Sequence, residues 1–280
     1  MTLLFVLSFA IVLFFPGDAL AWGPGVHTAA ARFVLANLDL VHPASAAIIA
    51  QFPNSYLYGC LSADFFVGKG TRIRPGHSHN WDAAVRLAAA AHNPQLAAHA
   101  LGYMSHLAAD VVAHNCYVPG VMVRTALPAG LAHAYVEAQA DSRLTGGHGL
   151  KGRITSKSQR MLDRGIVSAL DKNRAAYLLR KRMFKGSVAL AGLPGWNRSL
   201  RFAQKVMPLP DERGGLDRMF DLSLRAVLDV LRRPEDSVLR GFDPIGSLNL
   251  SRARRGTAAG IDPRLSSLPE LPVLSLKDVA

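Results

Sequence analysis

The stretch NPQLAAHALGYMSHLAADVVAH, residues 93–114, decides the fold. Asn93-Pro94 opens a helix, because Asn caps free amides and Pro at the first helical position gives up an N–H that the helix does not use. Within the run, His106, Asp110 and His114 are spaced by four. Four residues turn about 400°, so each lies about 40° round from the last and the three share one face, with Gly102 and more loosely Tyr103 beside them. Leu107, Ala108, Val111 and Val112 suit burial. A buried Asp between two buried His costs several kcal/mol unless compensated, and a divalent cation compensates it directly. Taken alone, the row is equally a hydrogen-bonded core network.

Outward from this helix the chain reads as all-α, a multi-helix bundle. Half of the residues are apolar, Ala and Leu dominate, and β-branched and aromatic runs are scarce. Residues 22–25 are expected to be irregular, with helices at 27–38, after Pro43-Ala44-Ser45, at 80–91 and at 131–144. Residues 53–79 read as a long ordered loop with one helical turn near 58–66. Tyr117-Val118-Pro119-Gly120 is expected to end the 94–114 helix. Residues 156–185 form one long, amphipathic, basic helix, and 216–233 another amphipathic one. The expected organisation is a signal peptide at 1–21, a core at 22–150, a basic helical region at 151–240 and an irregular tail at 241–280.

Residues 3–15 are apolar apart from Ser8, too short to span a bilayer, and Ala19-Leu20-Ala21 supplies the small–x–small pattern of a cleavage site. Met1-Thr2 carries no Lys or Arg; cleavage after Ala21 implies a secreted or periplasmic protein, and an uncleaved membrane anchor is the alternative. The net charge of +12 sits mostly from Lys151 onward and suits an anionic partner, phospholipid surface or nucleic acid, as well as plain solubility. Cys60 and Cys116 are the only cysteines, which excludes a disulfide framework and leaves open one bridge or two buried thiols.

All ten histidines lie between His27 and His148. His133 and Glu137 repeat the i, i+4 spacing on the next helix, and imidazole with carboxylate is what zinc takes when thiolates are absent. Asp64 stands alone between Ala63 and Phe65-Phe66, where it caps a helix or meets a cation. His77 and His79 precede the helix at 80. His42, His92, His99 and His148 lack such partners and read as surface or satisfied core residues.

Trp22 after a cleavage site, His27, Asp64, His79, the row His106–Asp110–His114 and the pair His133–Glu137 occur in an order that resembles the zinc-dependent phospholipase C superfamily, which also holds single-strand-specific nucleases. The resemblance covers about residues 22–140. It implies an all-helical fold with up to three zinc ions in one cleft. By position, Asp64, His79, His106 and Asp110 would hold the first, and His114, His133 and Glu137 the second. The α-amino and carbonyl groups of Trp22, with His27 and bridging Asp110, would hold the third. His77 competes with His79, which is favoured because His79-x-x-Asp82 is similar to the family pattern. One departure concerns the helix: in the family a His follows the bridging Asp by six residues, and here His114 follows Asp110 by four, so the helix is expected to run on and shift the second site. Another is mixed: the Trp22–His27 spacing is closer to the nuclease branch, and Glu137 to the phospholipase branch.

The resemblance implies a phosphodiester hydrolase in which Asp64 orients and deprotonates a water, with phospholipid headgroups as substrate. By its own residues the basic helix 157–183, with Leu, Met, Tyr and Phe among its cations, suits an anionic membrane surface as well as a solvated helix whose apolar stripe packs on the core. A nuclease would need stacking aromatics, for which Tyr56, Tyr58, Trp81 and Tyr117 are the nearby stock. A third reading is a non-catalytic zinc-binding membrane-association module.

Overall fold

The computed structural model describes residues 22–66, 77–125, 129–145, 159–191, 193–208, 215–258 and 260–271. The expected signal peptide at 1–21, His148 and Lys157 lie outside the described residues. Among the described residues there are helices and no strand, the all-α architecture the sequence calls for. In chain order the helices of the first half are α1 (Pro24–Ala36), α2 (Pro43–Gln51), α3 (Pro53–Ser62), α4 (Trp81–Ala89), α5 (Pro94–Val112), α6 (Val118–Arg124) and α7 (Ala129–Thr145). The second half adds α8 (Gln159–Ala169), α9 (Arg174–Ala191), α10 (Pro194–Val206), α11 (Gly215–Arg232), α12 (Ser247–Arg254) and the single turn α13 (Pro263–Ser266).

Proline explains three departures from the sequence reading. It occupies the first turn of α1, α2, α3, α5, α6 and α10. There its missing N–H is one the helix leaves unused and its fixed φ suits the first turn. The helix therefore starts at Pro24 where irregular backbone was expected. Likewise Pro53–Ser62, read as loop, is helical and runs into a 3-10 turn at Ala63–Phe65. The expected stop at residues 117–120 also fails. After α5 the chain widens into a π turn, Ala113–Tyr117, in which the Val118 amide donates to the Ala113 carbonyl, and α6 follows at once with Pro119 in its first turn.

The basic segment expected as one helix is two. The Lys172 amide donates to the Val167 carbonyl at 2.9 Å, and Asp171 sits at φ 50. This is the left-handed stop that closes helices, here on an Asp, one of the few side chains that tolerates it. Beyond 241, expected as irregular, a 3-10 turn at Val238–Gly241 leads to α12.

α5 is the axis of the bundle, packed between α3 and α11 and flanked by α2 and α4. Its Leu107, Ala108, Val111 and Val112 are buried as their positions require. The α3–α5 crossing is closed by two glycines. A Cβ on Gly59 would fall 2.1 Å from the His99 carbonyl oxygen, and one on Gly102 would fall 2.1 Å from that of Tyr56. The backbones touch because neither position carries a side chain.

Candidate metal centre

That close crossing sets the first group of polar residues. It brings the Cys60 carbonyl on α3 to 2.8 Å from His106 Nδ1 on α5. A carbonyl only accepts, so Nδ1 carries the proton and the Nε2 lone pair faces the other way. It faces Asp110 Oδ2 at 3.1 Å, Asp64 Oδ1 at 3.6 Å and His79 Nε2 at 3.0 Å. His79 Nε2 is also 3.2 Å from Asp64 Oδ1 and 3.2 Å from Asp110 Oδ2. The 3-10 turn delivers Asp64, and the segment before α4 delivers His79. Tyr103 on α5 anchors that segment by donating its hydroxyl to the Ser78 carbonyl.

Of the two competing histidines, His79 is the one in the cluster. His77 Nδ1 accepts the His79 amide at 3.0 Å and so orients it from behind. His27, one turn into α1, stacks on His106 with ring centroids 3.8 Å apart and places Nε2 3.2 Å from Asp110 Oδ1. Every one of these side chains is buried.

The electrostatics of this group call for a cation. Both oxygens of Asp64, both of Asp110 and the Nε2 of His27 lack a hydrogen bond of proper geometry. Two carboxylates taken out of water without donors are costly. Burial alone would lower the His106 imidazole, but the charges of Asp110 and Asp64 outweigh it and raise it to about 9. Against the burial that would raise it, the His106 and His27 imidazoles hold Asp110 well below the usual carboxylate range. Without a metal, a proton on His106 does the neutralising. The donor set, imidazole nitrogens and carboxylate oxygens with no thiolate, is the one borderline cations such as zinc accept. Ligand atoms of His27, Asp64 and His106 lie within 4.8 Å of one another, as do those of His79, His106 and Asp110.

The second group is His114, His133 and Glu137, again within 4.8 Å of one another. His133 Nε2 is 2.8 Å from Glu137 Oε1, and the His114 and His133 rings meet edge to face at 5.4 Å. With its four-residue spacing after Asp110, His114 lies two turns past His106, about 80° round the helix, and its ring meets that of His133 on α7. The π turn and the C-terminal segment then hold it. His114 Nδ1–H donates to the Pro244 carbonyl at 2.6 Å. Pro119 has no amide for the Asn115 carbonyl four residues back, and Asn249 Nδ2 on α12 donates to that oxygen at 3.3 Å instead. Gly246, at φ 61, lies so close that a Cβ there would sit 2.3 Å from the His114 carbonyl oxygen. Burial, followed by the charges of Asp64, Asp110 and Asp141, raises Glu137 well above an ordinary carboxylate. The two groups therefore share one electrostatic neighbourhood.

Trp22 is fully buried, donates its indole N–H to Ser223 Oγ at 3.0 Å and stacks on Tyr117 at 5.1 Å. Asp141, which the sequence reading missed, continues the row His133–Glu137 by four more residues. Its Oδ1 accepts the Val26 amide at 2.9 Å, at the positive end of α1. Burial pushes its carboxyl up to about 6 against the opposing amides of Val26 and Gly25. The i, i+4 continuation was the available signal. The carbonyls of Cys60 and Pro244 left none, since a backbone acceptor has no residue type.

Tyr56, Tyr58, Trp81 and Tyr117 are all buried, so none of the four is placed to stack a base. His42 caps α2, His92 Nδ1 lies 3.3 Å from the Ala90 carbonyl oxygen, and His99 shares a hydrogen bond with Ser62 in the core. Cys60 and Cys116 are free buried thiols. No described helix is long and apolar enough to cross a membrane. A family model described as zinc dependent phospholipase C matches residues 26–183. No curated protein and no solved structure matches the chain significantly.

Proposed function

Since the chain belongs to the zinc-dependent phospholipase C family, we propose that it hydrolyses the headgroup phosphodiester of phospholipids at the buried His–Asp–Glu centre. The observation that carries this reading is the pair of buried carboxylates, Asp64 and Asp110, held against three imidazoles with no hydrogen bond of proper geometry. Asp64, His79, His106 and Asp110 would hold one zinc, His114, His133 and Glu137 a second. His27, Asp110 and the Trp22 main chain would hold a third once cleavage after Ala21 frees the amine of a secreted protein. Bound zinc supplies positive charge to the phosphoryl oxygens and makes a water more acidic.

The chain's own residues do the rest. Cys60 and Pro244 fix the tautomers of His106 and His114, so that Nε2 of each faces inward. Asp64 orients the attacking water and accepts its proton as the oxygen bonds to phosphorus. The phosphorus–oxygen bond to diacylglycerol breaks, and its alkoxide takes up a proton. The buried aromatics favour this substrate over single-stranded nucleic acid.

The test uses purified mature protein, assayed on a short-chain phosphatidylcholine and on single-stranded DNA, with bound metal counted. Asp64→Asn is expected to keep most of its zinc while losing on the order of 100-fold or more in lipid turnover. Zinc-loaded parent protein that turns over DNA alone, or neither substrate, overturns the reading.

A further inference from the structure

From Lys172 to Pro210 the chain holds nine Lys and Arg and no Asp or Glu. This acid-free stretch forms α9 and α10, and six of the ten exposed large apolar side chains of the described residues fall within it. On α10 the split is clean. Leu200 is buried and Ala203 and Met207 are partly so, toward α7, where Gln139 donates to the Leu200 carbonyl at 2.9 Å and the Tyr135 hydroxyl to that of Met207 at 3.0 Å. On the opposite side Phe202 is 56% exposed and Val206 61%, one turn apart, with Arg198, Arg201 and Lys205 exposed around them. On α9, Leu179 and Met183 are exposed one turn apart, with Arg182 between them. α9 and α10 pack on each other.

Both helices are fastened to the metal centre. Phe184 of α9 meets Phe65 edge-on at 5.0 Å, next to Asp64, and α10 packs on α7, which bears His133 and Glu137. Between α8 and the core, Asp163 accepts hydrogen bonds from Tyr58, Tyr177 and Lys181, which pins α9 in place.

Exposed aliphatic side chains set among cations, in a stretch without Asp or Glu, match an anionic bilayer surface: the apolar groups enter the headgroup boundary while Arg and Lys meet lipid phosphates. The exposed set is mainly aliphatic, which gives a nucleic acid little to stack on. We infer that α9 and α10 form a membrane-docking face, centred on Phe202 and Val206 and on Leu179 and Met183, that seats the protein on anionic phospholipid. The choice of a lipid surface rests on the phospholipase reading, but docking is measured without turnover, so the two fail separately.

The experiment is co-sedimentation of the purified mature protein, in the cold, with vesicles of phosphatidylcholine alone and with phosphatidylglycerol added. The parent is expected to bind the mixed vesicles far better. Phe202→Ser with Val206→Ser is expected to weaken that binding about tenfold or more, and Leu179→Ser with Met183→Ser likewise. Arg198→Glu with Arg201→Glu should remove the preference for the anionic lipid. None of these positions belongs to the metal centre, so zinc content and hydrolysis of a monomeric short-chain phosphatidylcholine stay at the parent level, which also shows that the variants fold. Variants that sediment like the parent overturn the inference. So does a parent that binds a single-stranded oligonucleotide but not the vesicles, with the same variants losing that binding.

Discussion

The two ligand groups are built on the same kind of row, residues four apart on one helix, yet they are held in different ways. The group of Asp64, His79, His106 and Asp110 takes its side chains and its orienting carbonyl from within residues 22–112. Its orienting carbonyl, Cys60, comes from the helix that α5 crosses at Gly59 and Gly102. The group of His114, His133 and Glu137 takes its orienting carbonyl from Pro244, 130 residues further along, in a segment beyond the 26–183 matched by the family model. The first holds two carboxylates against three histidines and the second one carboxylate, and in both groups a carboxylate oxygen lacks a hydrogen bond of proper geometry. The first is oriented at a helix crossing, and the second where the C-terminal segment meets the π turn.

The largest effect should come from Asp110, which touches His27, His79 and His106. Asp110→Asn is expected to cost more than 100-fold in zinc affinity at the first group, and lipid turnover with it. It also leaves the raised His106 imidazole without its strongest neutralising partner. The metal-free fold should therefore lose on the order of 3 kcal/mol, read from denaturant unfolding. Full zinc content in this variant would show that the first group is a core network and not a metal site.

Gly246→Ala tests the other half of the comparison. A Cβ at φ 61 is strained, and its position 2.3 Å from the His114 carbonyl oxygen forces the segment or the π turn to move. The expected result is about 2 kcal/mol of lost stability, and a 10- to 100-fold loss of zinc affinity confined to the group of His114. Equal loss at both groups would mean that the C-terminal segment supports the whole centre.

The same contrast explains what the sequence disclosed. The rows His106–Asp110–His114 and His133–Glu137 were legible because i, i+4 spacing is a property of residue types, and so was the bundle, through its Ala- and Leu-rich helices. Pro24, Pro53 and Pro119 were misread as breakers because the same residue that ends a helix also starts one, and only the register decides. Asp171 hid a helix stop, since the left-handed conformation has no marker when the residue is not Gly. Residues 194–206 fell within the region expected to be helical, but the bounds of this helix were not read. What holds His114 was not legible in the spacing after Asp110, because a π turn and a carbonyl 130 residues away are invisible in the residues between. Asp141, by contrast, continued a row already recognised.

The smallest expected effect is a matter of about one proton. In the metal-free protein the carboxylates of Asp110 and Asp64 raise His106 to about 9, so at neutral pH its imidazole is charged. Zinc can take Nε2 only after that proton leaves. Uptake at pH 7 is therefore expected to release about one proton from the first group, falling toward none as pH passes about 9, with zinc affinity rising over the same range. The stability of the metal-free fold runs the other way. Because the folded value lies above the ordinary 6.5, the stabilisation is complete below 6.5 and is lost as pH rises through about 9. Calorimetry of zinc uptake in buffers of different ionisation enthalpy reads the proton, and melting of the metal-free protein across that window reads the stability. In His114→Ala the release from His106 should persist, because His106 belongs to the other group. A release that vanishes with His114 would place the titrating proton in the second group and invert the contrast.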